Sequence, residues 1–243
     1  MKYLFIGGCA RSGTTALWRV IAKQQSAVIG LERYVNMRFT PNFFRPDLFQ
    51  EDRFFDVRKG ETWYSSIDKV PYYSQARHRY RDAKIVGDKI PNLTTLLPEI
   101  FEHFPNSVIL YIVRNLFDVA NSYQKRAIDP NDKTWPEHRD YQRASEDWNS
   151  SLEAAIAWAN KLPFILINYE KFFAGQADIG SVANFVELDA DVMKRNYETA
   201  LRAIRPGSEQ LALSPLQRQY LALNGNFALY SEVLKLGEKW IAH

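Results

Sequence analysis

A short polar stretch near the start of the chain has residue types that suit a phosphate or another anion. Residues 7–15 carry three glycines, an arginine, a serine and two threonines, between an apolar run at residues 3–6 and a segment with helical periodicity. This order predicts a strand, a loop and a helix. Such a loop exposes backbone N–H groups, and the helix dipole favours negative charge at its start. We therefore expect residues 7–15 to bind an anion.

The loop has the glycine spacing of nucleoside triphosphatases but lacks their lysine. In those enzymes the lysine follows the last glycine and reaches the outer phosphates, and the next residue binds magnesium. Here Thr14 takes the lysine position, and the cation, Arg11, lies within the loop. The apolar run at residues 108–113 ends in Arg114 rather than in a metal-binding aspartate. This combination predicts that the loop binds an anionic nucleotide without a metal. Taken alone, the loop could also be an ordinary glycine-rich turn, and that interpretation stays open.

Apolar runs and helical segments alternate along the chain. Runs at residues 3–6, 83–86, 108–113 and 164–167 are typical of strands that are buried on both faces. Apolar residues recur at helical spacing in the segments of Leu17–Val20–Ile21, Leu93–Leu96–Leu97–Ile100–Phe101, Trp148–Leu152–Ala155–Ile156–Ala159, Ile179–Val182–Ala183–Val186 and Leu229–Val233–Leu236–Trp240. The alternation predicts an α/β fold, a parallel sheet like that of phosphate-loop proteins with helices on both faces and a helical insertion at about residues 33–81.

Composition narrows the class of protein. The 243 residues are 46% apolar, carry a net charge of +3 and contain no repeat or linker, so one domain over residues 1–243 is expected. Cys9 is the only cysteine, which excludes an internal disulfide and any multi-cysteine zinc site. No signal-peptide core, no apolar run of about 18 residues and no run of like charge are present. We expect a cytoplasmic protein with no membrane span and no nucleic-acid partner.

The loop and Arg114 resemble the two signatures of the sulfotransferases that use 3′-phosphoadenosine 5′-phosphosulfate (PAPS). In that family the second signature, an arginine ending a buried strand and a serine eight positions later, binds the 3′-phosphate, and Arg114 and Ser122 have this spacing. The family often has proline where Leu116 lies, which affects the shape of the turn. The resemblance implies PAPS as the donor, 3′-phosphoadenosine 5′-phosphate (PAP) as the product, and a 5′-phosphosulfate site formed by Arg11, Ser12, Gly13, Thr14 and Thr15.

The chain is most similar to the branch with protein-tyrosine sulfotransferases and related bacterial enzymes. By position, the resemblance implies that Glu32 is the general base for the acceptor and that Lys89 lines the reaction centre. It also implies that Arg126 contacts the nucleotide, and that Tyr169 and Glu170 form a pair found after the last strand. Simpler interpretations stay open: an ion pair with Arg33 or a helix cap for Glu32, an exposed turn for Lys89, and core packing for Tyr169.

The resemblance covers about residues 3–32 and 84–187 and leaves two parts of the chain without a counterpart. Residues 34–80 are rich in aromatics, which suit either a local core or an acceptor pocket. Residues 129–141 have the composition of a surface loop that could close over the acceptor. Arg202 and the stretch Arg205-Pro206-Gly207 could form a basic flap over the 3′-phosphate.

The resemblance implies in-line transfer of a sulfuryl group to a hydroxyl, or an amine, on a small molecule, a carbohydrate or another acceptor. Arg11 would neutralise the leaving phosphate, Lys89 would stabilise the moving group, Glu32 would remove the proton, and no metal is needed. His78 or His138 is a reserve candidate for the base. Two alternatives are kept, a kinase with a variant phosphate loop and a protein that binds PAP without chemistry. The acceptor and the oligomeric state stay open.

Overall fold

Five parallel strands form a single sheet in the computed structural model, which describes residues 1–203 and 212–241. The spatial order is β2-β3-β1-β4-β5, and each neighbouring pair is parallel. The strands are β1 (Lys2–Gly7), β2 (Ala27–Leu31), β3 (Ile85–Lys89), β4 (Ser107–Val113) and β5 (Phe164–Asn168). Because all strands run the same way, every loop that follows a strand lies at one edge of the sheet.

Helices cover both faces of the sheet. One face packs against α1 (Thr14–Ile21), α8 (Ile179–Val186) and α9 (Ala190–Ala203). The opposite face packs against α4 (Leu97–His103), α5 (Leu116–Ala127), α6 (Tyr141–Trp158), α10 (Pro215–Asn224) and α11 (Phe227–Ile241). The remaining helices are α2 (Glu51–Phe55), α3 (Tyr72–Arg79) and α7 (Tyr169–Phe173). The predicted α/β class, with helices on both faces, is confirmed, and within residues 1–203 and 212–241 no helix has the length and apolarity to cross a bilayer.

Strand β2 was not predicted from the sequence, and it forms one edge of the sheet. Side chains satisfy the backbone groups that an edge strand leaves unpaired. The Ile29 N–H donates to the Tyr72 hydroxyl at 2.9 Å, and Trp18 Nε1 donates to the Ile29 carbonyl at 2.9 Å. The Leu31 N–H donates to the Tyr73 hydroxyl at 2.9 Å. These contacts protect the edge from pairing with another chain.

Strand β3 begins two residues later than predicted, at Ile85, and continues to Lys89. The apolar run ends early in the sequence because Gly87 and Asp88 interrupt it, yet both are buried within the strand. A Cβ at Gly87 would lie 1.7 Å from the carbonyl oxygen of Leu4, so the close approach of β1 requires glycine. Lys89 therefore ends a central strand and is fully buried, and its interpretation as an exposed turn residue is wrong.

The aromatic residues of the insertion pack mainly on the sheet. Phe44 lies 5.3 Å from Phe5 of β1, and Phe49 lies 5.7 Å from Phe104, between ring centres. Most of the others are also buried in this core, whereas Trp63 is 60% exposed. The insertion shares its core with the sheet, so its aromatics serve packing more than they line a pocket.

Candidate active site

Backbone conformation explains the glycines of the loop that follows β1. Gly8 has φ of 144°, and a Cβ there would lie 2.3 Å from the Ile112 carbonyl oxygen. Gly13 has φ of 93° and caps α1. Arg11 also lies in the left-handed region, with φ of 69°. The loop is thus held tightly against β4, in a conformation that glycine adopts at little cost.

Four polar groups at the start of α1 have no partner within residues 1–203 and 212–241. They are the N–H groups of Gly13, Thr14 and Thr15 and the buried hydroxyl of Ser12. The Ser12 N–H, expected to face the anion, instead donates to the Cys9 carbonyl at 3.1 Å. Buried polar groups normally have partners, and a helix start favours an anion, so these groups are available to bind one.

Asn92, which the sequence did not single out, fastens the loop. Its side-chain oxygen accepts a hydrogen bond from the Ala10 N–H at 2.8 Å, and its backbone N–H donates to the Gly8 carbonyl at 2.8 Å. Asn92 has φ of 57°, a conformation that asparagine tolerates better than most residues. Its amide nitrogen lies 3.4 Å from Asp147 Oδ2 on α6. The loop of residues 7–15 (the anion loop) is therefore connected to α6.

Lys89 and Glu32 meet beside the loop because the parallel register aligns their strands. Leu31 of β2 pairs with Lys89 of β3, and the Glu32 N–H extends the ladder by donating to the Lys89 carbonyl at 2.9 Å. Lys89 Nζ donates to Glu32 Oε1 and, at 3.0 Å, to the Thr15 hydroxyl. Burial lowers the pKa of Lys89, and the Glu32 carboxylate opposes this shift. The lysine thus links the anion loop to the predicted base.

Asp88 holds the turn that carries Glu32. Its two carboxylate oxygens accept from the Arg33 and Tyr34 N–H groups, each at 3.0 Å. Burial raises the pKa of Asp88 to about 7, although these hydrogen bonds favour the charged form. The Arg33 side chain turns away and pairs with Glu61 at 2.7 Å, so the suggestion that Glu32 pairs with Arg33 is wrong. The Glu32 side chain remains 24% exposed.

The two predicted nucleotide signatures come together across β1 and β4. Arg11 Nε donates to the Ser122 hydroxyl at 2.9 Å, and Arg114 Nη1 donates to the Arg11 carbonyl at 3.3 Å. The Arg114 guanidinium lies over the Tyr169 ring, 4.1 Å from its centre, and its buried Nε has no hydrogen-bond partner within the described ranges. A Cβ at Gly13 would lie 2.7 Å from the Tyr169 ring. Tyr169 therefore supports both the loop and the arginine.

A model of the sulfotransferase family matches residues 4–191, a span that includes the anion loop, the Lys89–Glu32 pair and the Arg114–Ser122 pair. The chain belongs to the sulfotransferase family. No curated protein sequence matches this sulfotransferase.

Solved sulfotransferases share its fold at low sequence identity. An enzyme from Alicyclobacillus acidocaldarius has a TM-score of 0.57 at 16% identity, with 100% of this chain and 96% of the other covered. The sulfotransferase domain from the curacin biosynthetic pathway gives 0.54 at 18% identity, with 98% and 96% covered. A mouse sulfotransferase complexed with PAP gives 0.53 at 14% identity, with 100% and 89% covered.

Arg126, expected to contact the nucleotide, is held by the loop of residues 128–140. Its Nε pairs with Asp132 at 2.6 Å, its Nη2 donates to the Thr134 hydroxyl at 2.9 Å, and its guanidinium stacks on Trp135 at 4.5 Å. It remains near Arg11: burial of Arg11 lowers the pKa of that residue most, and the positive charge of Arg126 lowers it further. In this sulfotransferase Arg126 anchors the loop of residues 128–140 beside the anion site.

The other predicted candidates form no hydrogen bond or ion pair with this cluster, or fall outside the residues that the structure describes. His78 and His138 are both exposed, on α3 and in the loop after α5. Arg202 is exposed at the end of α9 and lies 3.6 Å from Glu198. Arg205, Pro206 and Gly207 fall outside the described residues. No group of three or more metal-ligating side chains is present in residues 1–203 and 212–241.

Proposed function

We propose that this sulfotransferase transfers the sulfuryl group of PAPS to a hydroxyl or amine of an acceptor. The observation that carries the proposal is Lys89, which contacts both Thr15 of the anion loop and Glu32. One lysine thus lies between a site for the donor's anion and a carboxylate that can accept a proton. The mouse sulfotransferase of similar fold, complexed with PAP, supports the choice of nucleotide.

The unpartnered groups of the site fit the two ends of the nucleotide. The free N–H groups of Gly13, Thr14 and Thr15 and the Ser12 hydroxyl would hold the 5′-phosphosulfate. Arg114, whose Nε has no partner in the described part of the chain, would hold the 3′-phosphate together with Ser122. Charge-assisted hydrogen bonds of this kind would distinguish PAPS from ATP, which lacks a 3′-phosphate.

Three side chains would then perform the transfer. PAPS supplies an activated sulfuryl group, and its bridging S–O bond breaks as the acceptor oxygen bonds to sulfur. Lys89 would donate hydrogen bonds to the sulfuryl oxygens, and Arg11 would stabilise the negative charge left on the departing phosphate. Glu32 would accept the proton that the acceptor hydroxyl loses. Each event of the reaction thus has one residue: Lys89 acts on the group that moves, Arg11 on the phosphate that leaves and Glu32 on the proton.

Calorimetric titration of the purified protein with PAP, in the absence of metal, tests the donor site. We expect PAP to bind, ATP–magnesium and adenosine 5′-phosphate not to compete, and Arg114→Ala to weaken binding by about tenfold or more. Arg195→Ala, an exposed arginine of α9, is the matched control and should leave PAP affinity unchanged. Binding of ATP–magnesium without PAP would favour the kinase alternative. PAP binding without transfer of label from PAPS to any acceptor would favour the non-catalytic alternative.

A further inference from the structure

Asp147 is a buried carboxylate of α6, and the proposed reaction gives it no role. Its side chain is 6% exposed. Oδ2 accepts a hydrogen bond from the Tyr123 hydroxyl at 2.9 Å and lies 3.4 Å from the Asn92 amide nitrogen. Oδ1 pairs with Arg143 Nη2 at 2.8 Å, and Arg139 Nη2 lies 3.5 Å from Oδ2. A buried charge needs such partners, and here they come from α5, the turn after β3, the loop before α6 and α6 itself.

The first of two connections runs from Asp147 through Asn92 to the residue before Arg11. A carboxylate only accepts hydrogen bonds, so Asn92 must turn its amide nitrogen towards Asp147. The amide oxygen is then left to accept from the Ala10 N–H at 2.8 Å. Asp147 thus fixes which end of the amide meets Ala10, and Ala10 directly precedes Arg11.

The second connection runs through Tyr123 to the hydroxyl that holds the Arg11 side chain. Tyr123 is buried, donates to Asp147 and directly follows Ser122 on α5. Ser122 in turn accepts from Arg11 Nε at 2.9 Å. Trp135 packs edge-on against the Tyr123 ring, with 4.8 Å between ring centres, and restricts its rotation. The carboxylate therefore helps to fix the position of the serine that Arg11 contacts.

Arg11 requires support of this kind because its own conformation is unfavourable. Its φ of 69° lies in the left-handed region, which disfavours residues that have a Cβ. Its guanidinium donates to Ser122 and pairs with no carboxylate in residues 1–203 and 212–241. A carboxylate in direct contact would hold Arg11 but would also neutralise it. Asp147 acts through an amide and a hydroxyl, so the guanidinium keeps its charge for a phosphate.

We propose that Asp147 is a positioning residue, which holds Arg11 where the 5′-phosphate of the donor binds. Two arginines balance the charge of the carboxylate, whereas the amide and the tyrosine hydroxyl transmit its position to both sides of Arg11. The inference rests on the proposed function, because that function gives Arg11 its role at the departing phosphate. It adds to it a residue on which the place of Arg11 depends.

The position of Arg11 can be followed without any substrate through its side-chain Nε–H, by NMR of protein labelled with ¹⁵N-arginine. The resonance is assigned by its loss in Arg11→Lys. We expect Asp147→Leu, which has a similar volume and no acceptor, to shift this resonance. Glu146→Leu is the matched control, because it removes an exposed carboxylate that also pairs with an arginine of α6, and it should cause no shift.

Tyr123→Phe is a second variant that keeps the ring in the core and removes only the hydroxyl. It should also shift the Arg11 resonance, and it carries the test if urea unfolding shows that Asp147→Leu does not fold. An unshifted resonance in the folded variants overturns the inference.

Calorimetric titration with PAP gives a further readout, in which charge and position have opposite signs. Removal of a negative charge near an anion site would by itself strengthen PAP binding, and Glu146→Leu measures that effect. We expect Asp147→Leu to weaken PAP binding instead, by about threefold to tenfold, the range of one lost hydrogen bond. In the Arg11→Gln background the same substitution should have little effect, because both changes remove one interaction.

The outcomes separate this inference from the proposed function. Equal losses of PAP affinity in the two backgrounds would mean that Asp147 supports the anion loop as a whole, and would overturn the assignment to Arg11. Failure of the wild type to bind PAP overturns the donor site instead, and the NMR comparison then still decides whether Asp147 positions Arg11.

Discussion

The ammonium group of Lys89 is the single charge that the proposed chemistry depends on most. Lys89→Met keeps much of the side-chain length but removes the donor to Thr15 and Glu32. We expect the rate of transfer to fall by roughly 10²–10³, as for other losses of a transition-state donor. Steady-state assays with labelled PAPS would measure kcat separately from KM.

Thr15→Val is the matched control for this variant, because it removes the contact with Lys89 and leaves the ammonium in place. A much smaller loss of kcat in Thr15→Val than in Lys89→Met would identify the charge as the cause. Equal losses in the two variants would show that the contact with the loop, rather than the charge, is what the reaction requires.

The raised pKa of Asp88 makes the free energy of unfolding depend on pH. Burial raises its pKa to about 7 from an ordinary value of 3.8, so the folded state binds this proton more tightly than the unfolded state. The contribution of Asp88 to the free energy of unfolding is therefore greatest below about pH 4 and falls as the pH rises towards 7. In Asp88→Asn this part of the pH dependence should disappear.

Urea unfolding from pH 4 to pH 8 would measure the effect as the difference between the wild type and Asp88→Asn. The free energy of unfolding of the wild type should fall relative to that of Asp88→Asn as the pH rises from 4, and the difference should level off above about pH 7. A shift in the opposite direction would mean that hydrogen bonds from Arg33 and Tyr34, rather than burial, dominate the pKa of Asp88.

Residue types and spacing in the sequence named most residues of the candidate site. Arg11, Glu32, Lys89, Arg114 and Ser122 were predicted from motif positions, and the structure brings them into one cluster. The roles of Asp88 and Asn92 were not predictable in this way. Both act on backbone groups supplied by distant segments, which a sequence cannot display.

At the scale of elements, the start of α1 depends on Gly13 in two ways. Its φ of 93° disfavours any other residue, and a Cβ would collide with the Tyr169 ring at 2.7 Å. We expect Gly13→Ala to lower the free energy of unfolding by about 1–3 kcal/mol and to weaken PAP binding, because the loop must move. Urea unfolding and calorimetry would measure the two effects.

Gly60 offers a matched control for this substitution. It has a similar φ of 89°, but a Cβ there meets no atom within 4 Å. Gly60→Ala should therefore report the backbone cost alone and leave PAP affinity unchanged. Comparable PAP affinities in Gly13→Ala and the wild type would contradict the assignment of the loop as the donor site.

Element boundaries were less predictable than element types. Strand β2 contains only five residues, including Gly30, and too short an apolar run to separate it from a loop. Phe101 was placed on the buried face of a helix but is 54% exposed, because a 3₁₀ turn over Leu93–Leu96 precedes α4 and changes the angular phase. Tertiary contacts form β2, and a local change of helix type exposes Phe101; apolar periodicity alone reveals neither.

At the scale of the whole molecule, the crossovers of the sheet assemble the site from distant parts of the chain. The connection from β1 to β2 passes over β3, and the one from β3 to β4 passes over β1. The ends of β2, β3, β1 and β4 therefore lie side by side and present, in that order, Glu32, Lys89, the anion loop and Arg114. Because β2 was not predicted, the place of Glu32 at this edge was not foreseen.

Asn92 joins the anion loop to the turn after β3 and to Asp147 of α6. A substitution there therefore tests whether the loop depends on these elements for its conformation. Asn92→Gly keeps the left-handed backbone at φ of 57° and removes only the side-chain amide. We expect the free energy of unfolding to fall by about 1 kcal/mol, the usual value of one hydrogen bond, and PAP binding to weaken because the Ala10 N–H loses its acceptor.

Asn42→Gly is the control for that substitution, because Asn42 has the same left-handed conformation, with φ of 58°, and is exposed in the insertion. It should leave PAP affinity unchanged, so that calorimetry on the two variants separates the lost amide from any effect of glycine itself. If Asn92→Gly binds PAP as tightly as Asn42→Gly does, the loop keeps its shape without α6. The anion site would then be a local property of the turn between β1 and α1 rather than of the assembled sheet edge.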